Sequence, residues 1–582
     1  MCGIFAIFND SKSQAGQTVL TGLKALEYRG YDSWGLAVLQ NGKLKYEKHV
    51  GKIGQAETKY PQGHIALGHT RWATHGGVTI TNAHPHFDCR GRIAVVHNGM
   101  VENYNQLKAG LEKQGHNFTS QSDTEVIAHL IEEQLKHKPD FVTATLESFI
   151  KLQGSNAIVV FDTQSKQLIG CRDGSPLLLG INGKEQFLAS DQNALAGKAK
   201  EVVYLDDGEA VVISENEVVY FKVADKKPIQ KKKQANHLGN QKIAKEGYRH
   251  FFIKEVNEQA TILPKIAKSE GKTYQLAAQQ IKKADQVLLT GCGTAYHCAL
   301  LGEYLLAKQG AFGRAYMAHE CRSFLDFTTE KSVIIAFSQS GETADVLLAI
   351  KAAKKKGAKV IALVNAQGST LQRLADLTIP VAAGPEIAVV STKAFTSQLA
   401  HMVRITQYLN GKFQLSDFSK ISSFLQAKQM NQLQSLAKKL AKNHHIFVIG
   451  KDLNYPAALE FALKIKETSY IHAEAFAAGE LKHGVISLIE KGTPIFVLAN
   501  FDQYFSEICS SAAQVKARGG QVIGVGPKNS VEFDTWIQTP DLGELSVFGN
   551  IMVGQLLGYY LGLERGADPD KPRNLAKSVT VK

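Results

Sequence analysis

The chain has few cysteines for its length, and they are not arranged as disulfide or metal sites. The 582 residues contain seven cysteines, an odd number, and no two of them form a C-x-x-C pair. Disulfide frameworks and zinc ribbons use paired cysteines at recognisable spacing. We therefore expect reduced thiols, no metal site and a cytoplasmic protein.

Long apolar runs are also missing. Nowhere do 18 consecutive apolar residues occur, and the opening run "GIFAIF" is too short for a signal peptide and has no basic residues before it. A membrane helix needs about 20 such residues. The sequence predicts neither a membrane span nor a secretory signal.

Nucleotide-binding motifs are incomplete. "EGKTYQ" contains the G-K-T of a P-loop, but Ile266 occupies the position of its first glycine. "GCGTAY" has Tyr296 where a dinucleotide fingerprint requires glycine. We expect neither ATP nor NAD and predict no cofactor.

The chain carries a net charge of +13, but its lysines do not form a nucleic-acid site. The two lysine clusters, at 226–233 and 351–357, contain no interleaved aromatic residues. A solvated face or a linker explains them, so we expect no nucleic-acid partner.

Residues 1–222 consist mostly of short β-branched runs separated by turns such as Asn41-Gly42. This pattern is typical of hairpins and packed antiparallel sheets. Two helical stretches are predicted within it, around 16–28 and 122–136. The first domain is therefore expected to be an α+β sandwich of antiparallel sheets with helices.

The pattern changes after a lysine- and glutamine-rich segment, predicted as a linker at 223–246. Buried runs then alternate with helices, which predicts βαβ units and two tandem doubly wound α/β domains, at 247–415 and 435–565. The interval from Val333 to Val360 equals that from Ile495 to Val522, 27 residues each, which suggests an internal repeat. Residues 566–582 form a predicted C-terminal tail.

Cys2 is the first residue that could carry chemistry. Met1 precedes a small side chain, so we expect its removal, which would give Cys2 both a thiol and a free α-amine. An α-amine with a typical pKa of roughly 7.7 can accept the thiol proton near neutrality. A cysteine in this position can also be no more than a small apolar residue.

Other segments supply groups suited to a free α-amino acid. Arg71 could bind a carboxylate and Asp123 an ammonium group, while Asn98 with Gly99 could stabilise an oxyanion. Each has a simpler interpretation: a salt bridge for Arg71, a helix N-cap for Asp123 and a turn for Asn98-Gly99.

The motifs "MCGIF", "LEYRGYDS", "HTRWATHG", "HNG" and "SDTE" resemble the N-terminal-nucleophile glutaminase domain of the class II amidotransferases. The resemblance implies that Cys2 attacks the amide of glutamine, releases ammonia and leaves a γ-glutamyl thioester for water. It implies oxyanion stabilisation by Asn98 and Gly99, and an ammonia-channel gate at Trp72. The implied glutamine-binding residues are Arg71, Thr74, His75, Gly99 and Asp123.

"SQSGET" (338–343) lies between an apolar run and a helix. Its backbone N–H groups, with hydroxyls from Ser338, Ser340 and Thr343, could hold a phosphate, although an ordinary serine-rich N-cap has the same pattern.

Titratable residues near the C-terminus admit two interpretations each. Lys464 and Glu467 share a helix face, which surface ion pairing also explains, and His483 could be a helix-end histidine. Lys577 could belong to a disordered tail, or, if docked, form a Schiff base with a ketose.

Five segments of the second half are similar to the isomerase half of the glucosamine-6-phosphate synthases: "CGTAYH", "SQSGET", "PEIAVVSTKAFT", "ELKHG" and "DKPRNLAKSVTV". That family makes glucosamine 6-phosphate and glutamate from fructose 6-phosphate and glutamine, its two small-molecule partners. The resemblance implies that Lys577 condenses with C2, His483 of a neighbouring subunit opens the ring, and Glu467 moves a proton between C1 and C2. The resemblance therefore also implies a homodimer.

The implied sugar-phosphate contacts are Cys292, Gly293, Thr294, Ser338, Gln339, Ser340, Thr343, Val389, Ser391, Lys464 and Ala576.

Three positions depart from the family pattern: Ala295, Val390 and Lys582. We expect them to tune affinity only. Two other functions remain possible on this fold, a sugar-amine deglycase, which would not need Cys2, and a sugar-phosphate sensor, which would not need Glu467, His483 or Lys577.

Overall fold

The computed structural model of the chain describes residues 2–236, 244–410, 418–425 and 427–580. It divides into two compact units, one formed by Met1–Ile243 with Ala576–Lys582 and the other by Ala244–Leu575. The departure at Lys582 lies outside the described residues. Among the helices that the structure describes, none combines the length and apolar character needed to cross a lipid bilayer.

The first unit is built mainly from strands. They are β1 (Gly3–Ser13), β2 (Ser33–Gln40), β3 (Lys43–Val50), β4 (Gly63–Arg71), β5 (His86–Phe87), β6 (Ile93–Gly99), β7 (Asn156–Asp162), β8 (Leu168–Asp173), β9 (Leu178–Asn182), β10 (Glu185–Ala189), β11 (Glu201–Tyr204), β12 (Glu209–Ile213), β13 (Val218–Lys222), β14 (Pro228–Ile229) and β15 (Gln234–Ala235). Its helices are α1 (Ala15–Leu26), α2 (Tyr104–Lys113), α3 (Glu125–His137) and α4 (Phe141–Ile150).

These strands form two antiparallel sheets, in the orders β15-β11-β9-β10-β1-β4-β2-β3 and β14-β13-β12-β8-β7-β6-β5. Along β1, Ile4 and Ala6 join a core shared with the second sheet, while Phe5 and Ile7 face α1. This alternation is the two-residue period of a strand buried on both faces. Helices α2, α3 and α4 cover the outer face of the second sheet. The predicted α+β sandwich is confirmed.

Helix α1 and helix α3 match the two predicted helical stretches, but α2 and α4 were not predicted. Helix α2 has few apolar residues, and only Tyr104 and Leu111 are buried. Helix α4 is rich in β-branched and aromatic residues, a composition that favours strands. The side chain of Asp140 accepts a hydrogen bond from the Thr143 backbone N–H and caps it.

The segment predicted as a linker includes two short strands. Strand β14 pairs with β13, and β15 pairs with β11, so both lie at sheet edges. A strand of two residues is too short to carry a readable apolar period. The predicted domain boundaries stay predictions.

The second unit alternates strands and helices. Its strands are β16 (Gln286–Gly291), β17 (Arg314–Met317), β18 (Ser332–Ser338), β19 (Lys359–Val364), β20 (Leu377–Pro380), β21 (His445–Gly450), β22 (His472–Ala477), β23 (Pro494–Leu498), β24 (Gln521–Gly526) and β25 (Thr535–Gln538). Its helices are α5 (Phe251–Ala267), α6 (Lys272–Lys283), α7 (Thr294–Lys308), α8 (Ala318–Cys321), α9 (Ala344–Lys355), α10 (Thr370–Leu374), α11 (Lys393–Asn410), α12 (Ser419–Phe424), α13 (Ala427–Leu440), α14 (Asn454–Ser469), α15 (Phe505–Lys516) and α16 (Val547–Glu564).

These strands form two five-stranded parallel sheets of the same topology, β17-β16-β18-β19-β20 and β22-β21-β23-β24-β25. Apolar residues of α5, α7, α11, α14 and α16 form one core with residues from both sheets. Helices α9 and α15 cover the opposite faces. The predicted doubly wound α/β architecture is confirmed, and ligand loops are expected at the carboxyl ends of such strands.

Candidate active sites

The thiol of Cys2 lies against the backbone of Trp72. The Trp72 N–H donates to Sγ at 3.3 Å, and Sγ is 3.5 Å from the Trp72 carbonyl oxygen. Burial raises the pKa of the Cys2 thiol, and the Trp72 hydrogen bond and the charge of Arg71 lower it only in part. Such a thiol needs a nearby base to become a nucleophile.

Asn98 is positioned beside Cys2 by a buried histidine. Asn98 Nδ2 donates to the Cys2 carbonyl oxygen at 3.0 Å, and its Oδ1 faces His69 Nε2 at 3.1 Å. His69 Nε2 is also 2.9 Å from the His97 carbonyl oxygen, which can only accept, so this nitrogen carries the proton. The orientation of the Asn98 amide therefore follows from that tautomer.

Gly99 ends β6 in a backbone conformation that requires glycine. Its φ is +134°, and an added Cβ would lie 1.9 Å from the Ser155 carbonyl oxygen. No other residue fits this position. Gly99 directly follows Asn98 at the end of β6, so its N–H is a candidate second donor for an oxyanion site.

Arg71, at the end of β4, is buried and held by the loop that follows it. Its guanidinium donates to the carbonyl oxygens of His75, Gly76 and Gly77. Within the described residues these acceptors are neutral, so the simpler salt-bridge interpretation is not supported. Because these hydrogen-bond acceptors carry no charge, the guanidinium can still bind a substrate carboxylate.

Asp123 lies just before α3 and is buried. Its carboxylate accepts a hydrogen bond from the Val101 N–H at 2.8 Å, which ties it to the segment after Gly99. The N-cap position of α3 is Thr124, so Asp123 is not the helix cap of the simpler interpretation.

The remaining predicted residues of this site follow Arg71 on one loop. Trp72 and His75 are half-buried, and the His75 ring meets Tyr104 edge-on at 4.9 Å. Thr74 is exposed.

Two residues of this site, His69 and Arg29, were not predicted from the sequence. The Nε of Arg29 donates to the Cys2 carbonyl oxygen at 3.3 Å. Arg29 belongs to the "LEYRGYDS" motif, which was the available signal.

In the second unit, "SQSGET" connects β18 to α9. Ser338 Oγ accepts from the Gly341 N–H at 2.9 Å, and Ser340 Oγ accepts from the Glu342 N–H at 3.1 Å. Thr343 occupies the N-cap position of α9. The loop therefore lies at a helix N-terminus and at the carboxyl end of a parallel strand, a place suited to phosphate.

Neighbouring contacts fix the shape of this loop. The Gln339 carbonyl accepts from the Ala366 N–H, and the carboxylate of Glu342 accepts from the backbone and hydroxyl of Thr370. Gly341 has φ +64°, and an added Cβ would meet Ser369 Oγ at 2.1 Å. Glycine is required here as well.

Lys464 on α14 is fully buried and lies between two carboxylates. Its Nζ is 2.7 Å from Glu467 and 3.1 Å from Glu460. Burial opposes its charge, but the two carboxylates outweigh that effect and raise the pKa of Lys464. The alternative of a surface ion pair is wrong, because Lys464 has no exposed surface.

The same ammonium group links α14 to the loops of the first sheet. Lys464 Nζ donates to Thr294 Oγ1 at 3.0 Å and to the Ser391 carbonyl at 3.2 Å. Thr294 begins α7, directly after Cys292-Gly293. These contacts bring predicted sugar residues together with the predicted proton-transfer carboxylate, Glu467.

Two further residues complete this cluster and were missed from the sequence. Glu460 also accepts from Thr294 Oγ1 at 3.1 Å and faces His297 Nδ1 at 2.8 Å. Burial would raise the pKa of Glu460, but Lys464 and His297 hold it below its usual value. The i, i+4 spacing of Glu460 and Lys464 was the signal in the sequence.

Other predicted sugar contacts lie near these loops. The Ser391 hydroxyl donates to Glu386 at 3.0 Å, and the Val389 N–H donates to the Asp570 carbonyl at 2.9 Å. Burial raises the pKa of the half-buried Cys292 thiol to about 12, which suits a neutral contact rather than a nucleophile.

The contacts of this cluster do not test the predicted roles of His483, Ala576 and Lys577. His483 ends a short 3₁₀ turn and is exposed. Ala576 and Lys577 group with the first unit. Their predicted roles stay predictions.

Comparison with known proteins agrees with this division. Residues 44–213 match the family described as "Glutamine amidotransferase domain". Residues 280–404 and 439–532 match the family described as "SIS domain".

Relatives that match over their full length extend the similarity to the whole chain. "Glutamine--fructose-6-phosphate aminotransferase [isomerizing]" of Pyrococcus horikoshii is 41% identical, and that of Thermococcus kodakarensis is 40% identical, each over 100% of both chains. The chain belongs to the isomerizing glutamine–fructose-6-phosphate aminotransferase family.

A solved structure covers the second half of this aminotransferase family member. The "C-terminal domain of glucosamine-fructose-6-phosphate aminotransferase from Francisella tularensis" is 29% identical, with a TM-score of 0.50. The match covers 56% of this chain and 99% of that one. Family membership thus joins a glutaminase-type unit and a sugar isomerase-type unit in one enzyme.

Proposed function

We propose that this aminotransferase converts D-fructose 6-phosphate and L-glutamine to D-glucosamine 6-phosphate and L-glutamate, in the cytoplasm and as a homodimer. The reaction supplies precursors for amino-sugar synthesis. The observation that carries the proposal is the Cys2 thiol, held against the Trp72 backbone beside Asn98 and Gly99, in a chain with a sugar isomerase fold.

In the glutaminase step, the α-amine of Cys2 accepts the thiol proton once Met1 is removed. The thiolate attacks the glutamine amide carbon, and Asn98 Nδ2 and the Gly99 N–H stabilise the oxyanion. Ammonia leaves, and water hydrolyses the γ-glutamyl thioester. Arg71 binds the α-carboxylate and Asp123 the α-ammonium group of glutamine, with Thr74 and His75 beside them and Trp72 as the gate.

In the sugar step, the phosphate of fructose 6-phosphate binds the loop formed by Ser338, Gln339, Ser340 and Thr343. His483 of a neighbouring subunit promotes ring opening, and Lys577 condenses with C2. Ammonia replaces Lys577 at C2, and Glu467 then transfers a proton from C1 to C2, which converts the ketose imine to the aldose amine. The Lys464 ammonium group lies 2.7 Å from the Glu467 carboxylate. The other contacts to the sugar are Cys292, Gly293, Thr294, Val389, Ser391 and Ala576.

The test uses glutamine labelled with ¹⁵N in its amide and fructose 6-phosphate. We expect labelled glucosamine 6-phosphate and glutamate in equal amounts from the wild-type chain. The Cys2→Ala variant should no longer use glutamine but should retain isomerisation of fructose 6-phosphate. Cys509 is a half-buried thiol of the second unit, and the Cys509→Ser variant should behave as wild type. Glutamate without amino sugar would reduce the proposal to a glutaminase.

A further inference from the structure

Four side chains distant in sequence meet on the first unit, outside the candidate glutaminase site. Cys89 lies in the turn between β5 and β6, and His116 follows α2. His129 and Glu132 lie three residues apart on α3 and so share one face. Each of these four residues offers one possible metal-ligand atom, and the four atoms all lie within 4.8 Å of one another. Among the described residues, this is the one group of His, Cys, Asp or Glu side chains with that arrangement.

The distances between these atoms fit the edges of a tetrahedron around an ion. Cys89 Sγ lies 3.6 Å from His116 Nδ1 and 3.5 Å from His129 Nδ1. Glu132 Oε2 lies 3.1 Å and 3.4 Å from the same two nitrogens. In an ideal tetrahedral zinc site, the usual zinc–ligand bond lengths place a sulfur and a nitrogen ligand about 3.6 Å apart. A nitrogen and an oxygen ligand are then about 3.3 Å apart.

A second carboxylate orients the ring of His116, and another lies near the ring of His129. His116 Nε2 is 2.9 Å from Glu133, and His129 Nε2 is 3.8 Å from Glu125. Metal-binding histidines almost always direct their other ring nitrogen to such a carboxylate or carbonyl group, because this fixes the tautomer and strengthens the ligand. Each imidazole thus presents Nδ1 to the common centre.

Burial favours a built site with an entrance. The side chains of His116 and His129 are only 2% and 1% exposed, whereas Cys89 lies at the surface. A network of hydrogen bonds is the alternative. It would require both Nδ1 atoms to donate to the one Glu132 oxygen that also accepts from the Cys89 N–H at 3.1 Å.

We propose that Cys89, His116, His129 and Glu132 bind one zinc ion. A thiolate, two imidazoles and a carboxylate are ligands that zinc accepts, and four protein ligands leave no open position, so the ion is structural. It would tie the turn before β6 to α3. Because β6 carries Asn98 and Gly99 and Asp123 precedes α3, the ion would stabilise the elements that hold the candidate glutaminase residues.

The test is metal analysis of the full chain, purified without a metal-binding tag. Cys2→Ala is used as the background, so that its thiol cannot bind the ion. We expect one zinc per chain after dialysis, and, on cobalt(II) replacement, visible absorption of four-coordinate cobalt with thiolate charge transfer. Cys89→Ser should lose the charge-transfer band, and His129→Gln should bind less than a tenth of the zinc.

Matched controls keep the test specific. Cys509→Ser and His137→Gln, the latter at an exposed position on the same helix, should retain full zinc. Glu133→Gln should weaken zinc affinity by 10–100-fold, as expected for the loss of an outer carboxylate. Because Cys89 is exposed, its variant tests the site even where a buried histidine variant does not fold.

Two results would overturn the proposal. One is a folded chain that takes up no stoichiometric zinc or cobalt from the metal salt alone. The other is equal zinc binding by Cys89→Ser and its background. Neither result bears on glutamine hydrolysis, which is measured separately.

Discussion

At the scale of single residues, the cluster around Lys464 shows how a buried charge is retained in this enzyme. One ammonium group forms ion pairs with Glu460 and Glu467 and donates hydrogen bonds to Thr294 and Ser391. Burying an ion is costly unless its partners and remaining donors are satisfied. Here those requirements are met by residues that also line the proposed sugar site.

Lys464→Met tests that balance. The substitution would leave the buried Glu460 and the half-buried Glu467 without their shared cation, so we expect a loss of about 3–5 kcal/mol in the apparent free energy of unfolding of the second unit. Urea unfolding measures it. Lys466→Met, at an exposed position of the same helix, should cost less than about 0.5 kcal/mol. Equal losses in both variants would mean that the buried ion pairs do not stabilise the unit.

His401 links stability to pH. It is buried between Tyr274 and the Val381 carbonyl oxygen, and burial lowers its pKa to about 4. In the unfolded chain it binds a proton below about pH 6.5, whereas the folded state does so only near pH 4. Its contribution to stability is therefore complete above pH 6.5 and is lost as the pH falls toward 4.

We expect this single histidine to make the second unit about 1 kcal/mol less stable at pH 5.5 than at pH 7. Denaturant unfolding at both pH values, in wild type and in His401→Gln, measures the difference. The variant should lose that part of the pH dependence. An unchanged slope in His401→Gln would show that His401 does not remain neutral in the folded state.

At the scale of elements, the loop between β18 and α9 depends on its glycine. A side chain at Gly341 would meet Ser369, whose position is set by the segment before α10. The loop would have to move, and its N–H groups would no longer converge at the helix N-terminus.

We expect Gly341→Ala to weaken fructose 6-phosphate binding at least 10-fold, which corresponds to about 1.4 kcal/mol. Calorimetric titration measures the affinity. Gly543→Ala is the matched control, because Gly543 has nearly the same φ, +61°, but open space where the Cβ would lie. Similar losses in the two variants would assign the effect to backbone conformation rather than to the shape of the phosphate loop.

At the scale of the whole molecule, the proposed chemistry assigns His483 and Lys577 of one sugar site to different chains. His483 is exposed in this chain, as a residue that serves a neighbouring subunit would be. In a symmetric dimer, each site would then combine Lys577 of one chain with His483 of its partner.

Mixing two inactive variants tests this arrangement. Lys577→Ala and His483→Ala chains, unfolded and refolded together, should recover about one quarter of wild-type synthesis, because half the dimers are mixed and each contains one intact site. Glucosamine 6-phosphate formation measures it. No recovery, with mixed dimers present, would place both residues of a site on the same chain.

The sequence by itself determined the parts of this protein that depend on local pattern. Two-residue alternation identified the antiparallel unit, βαβ spacing identified the parallel sheets, and motifs indicated Cys2 and "SQSGET" as candidate site residues. Helix α2, with few apolar residues, and helix α4, with a strand-like composition, could not be recognised because their stability comes from packing on β6 to β8.

Only the tertiary structure decided which charges meet. Glu460 reaches Thr294 across 166 residues, and Cys89 meets His129 across 40, at spacings that follow no helical or strand period. Such contacts depend on how whole sheets and helices pack, and that packing is set by the buried apolar surface of many residues together.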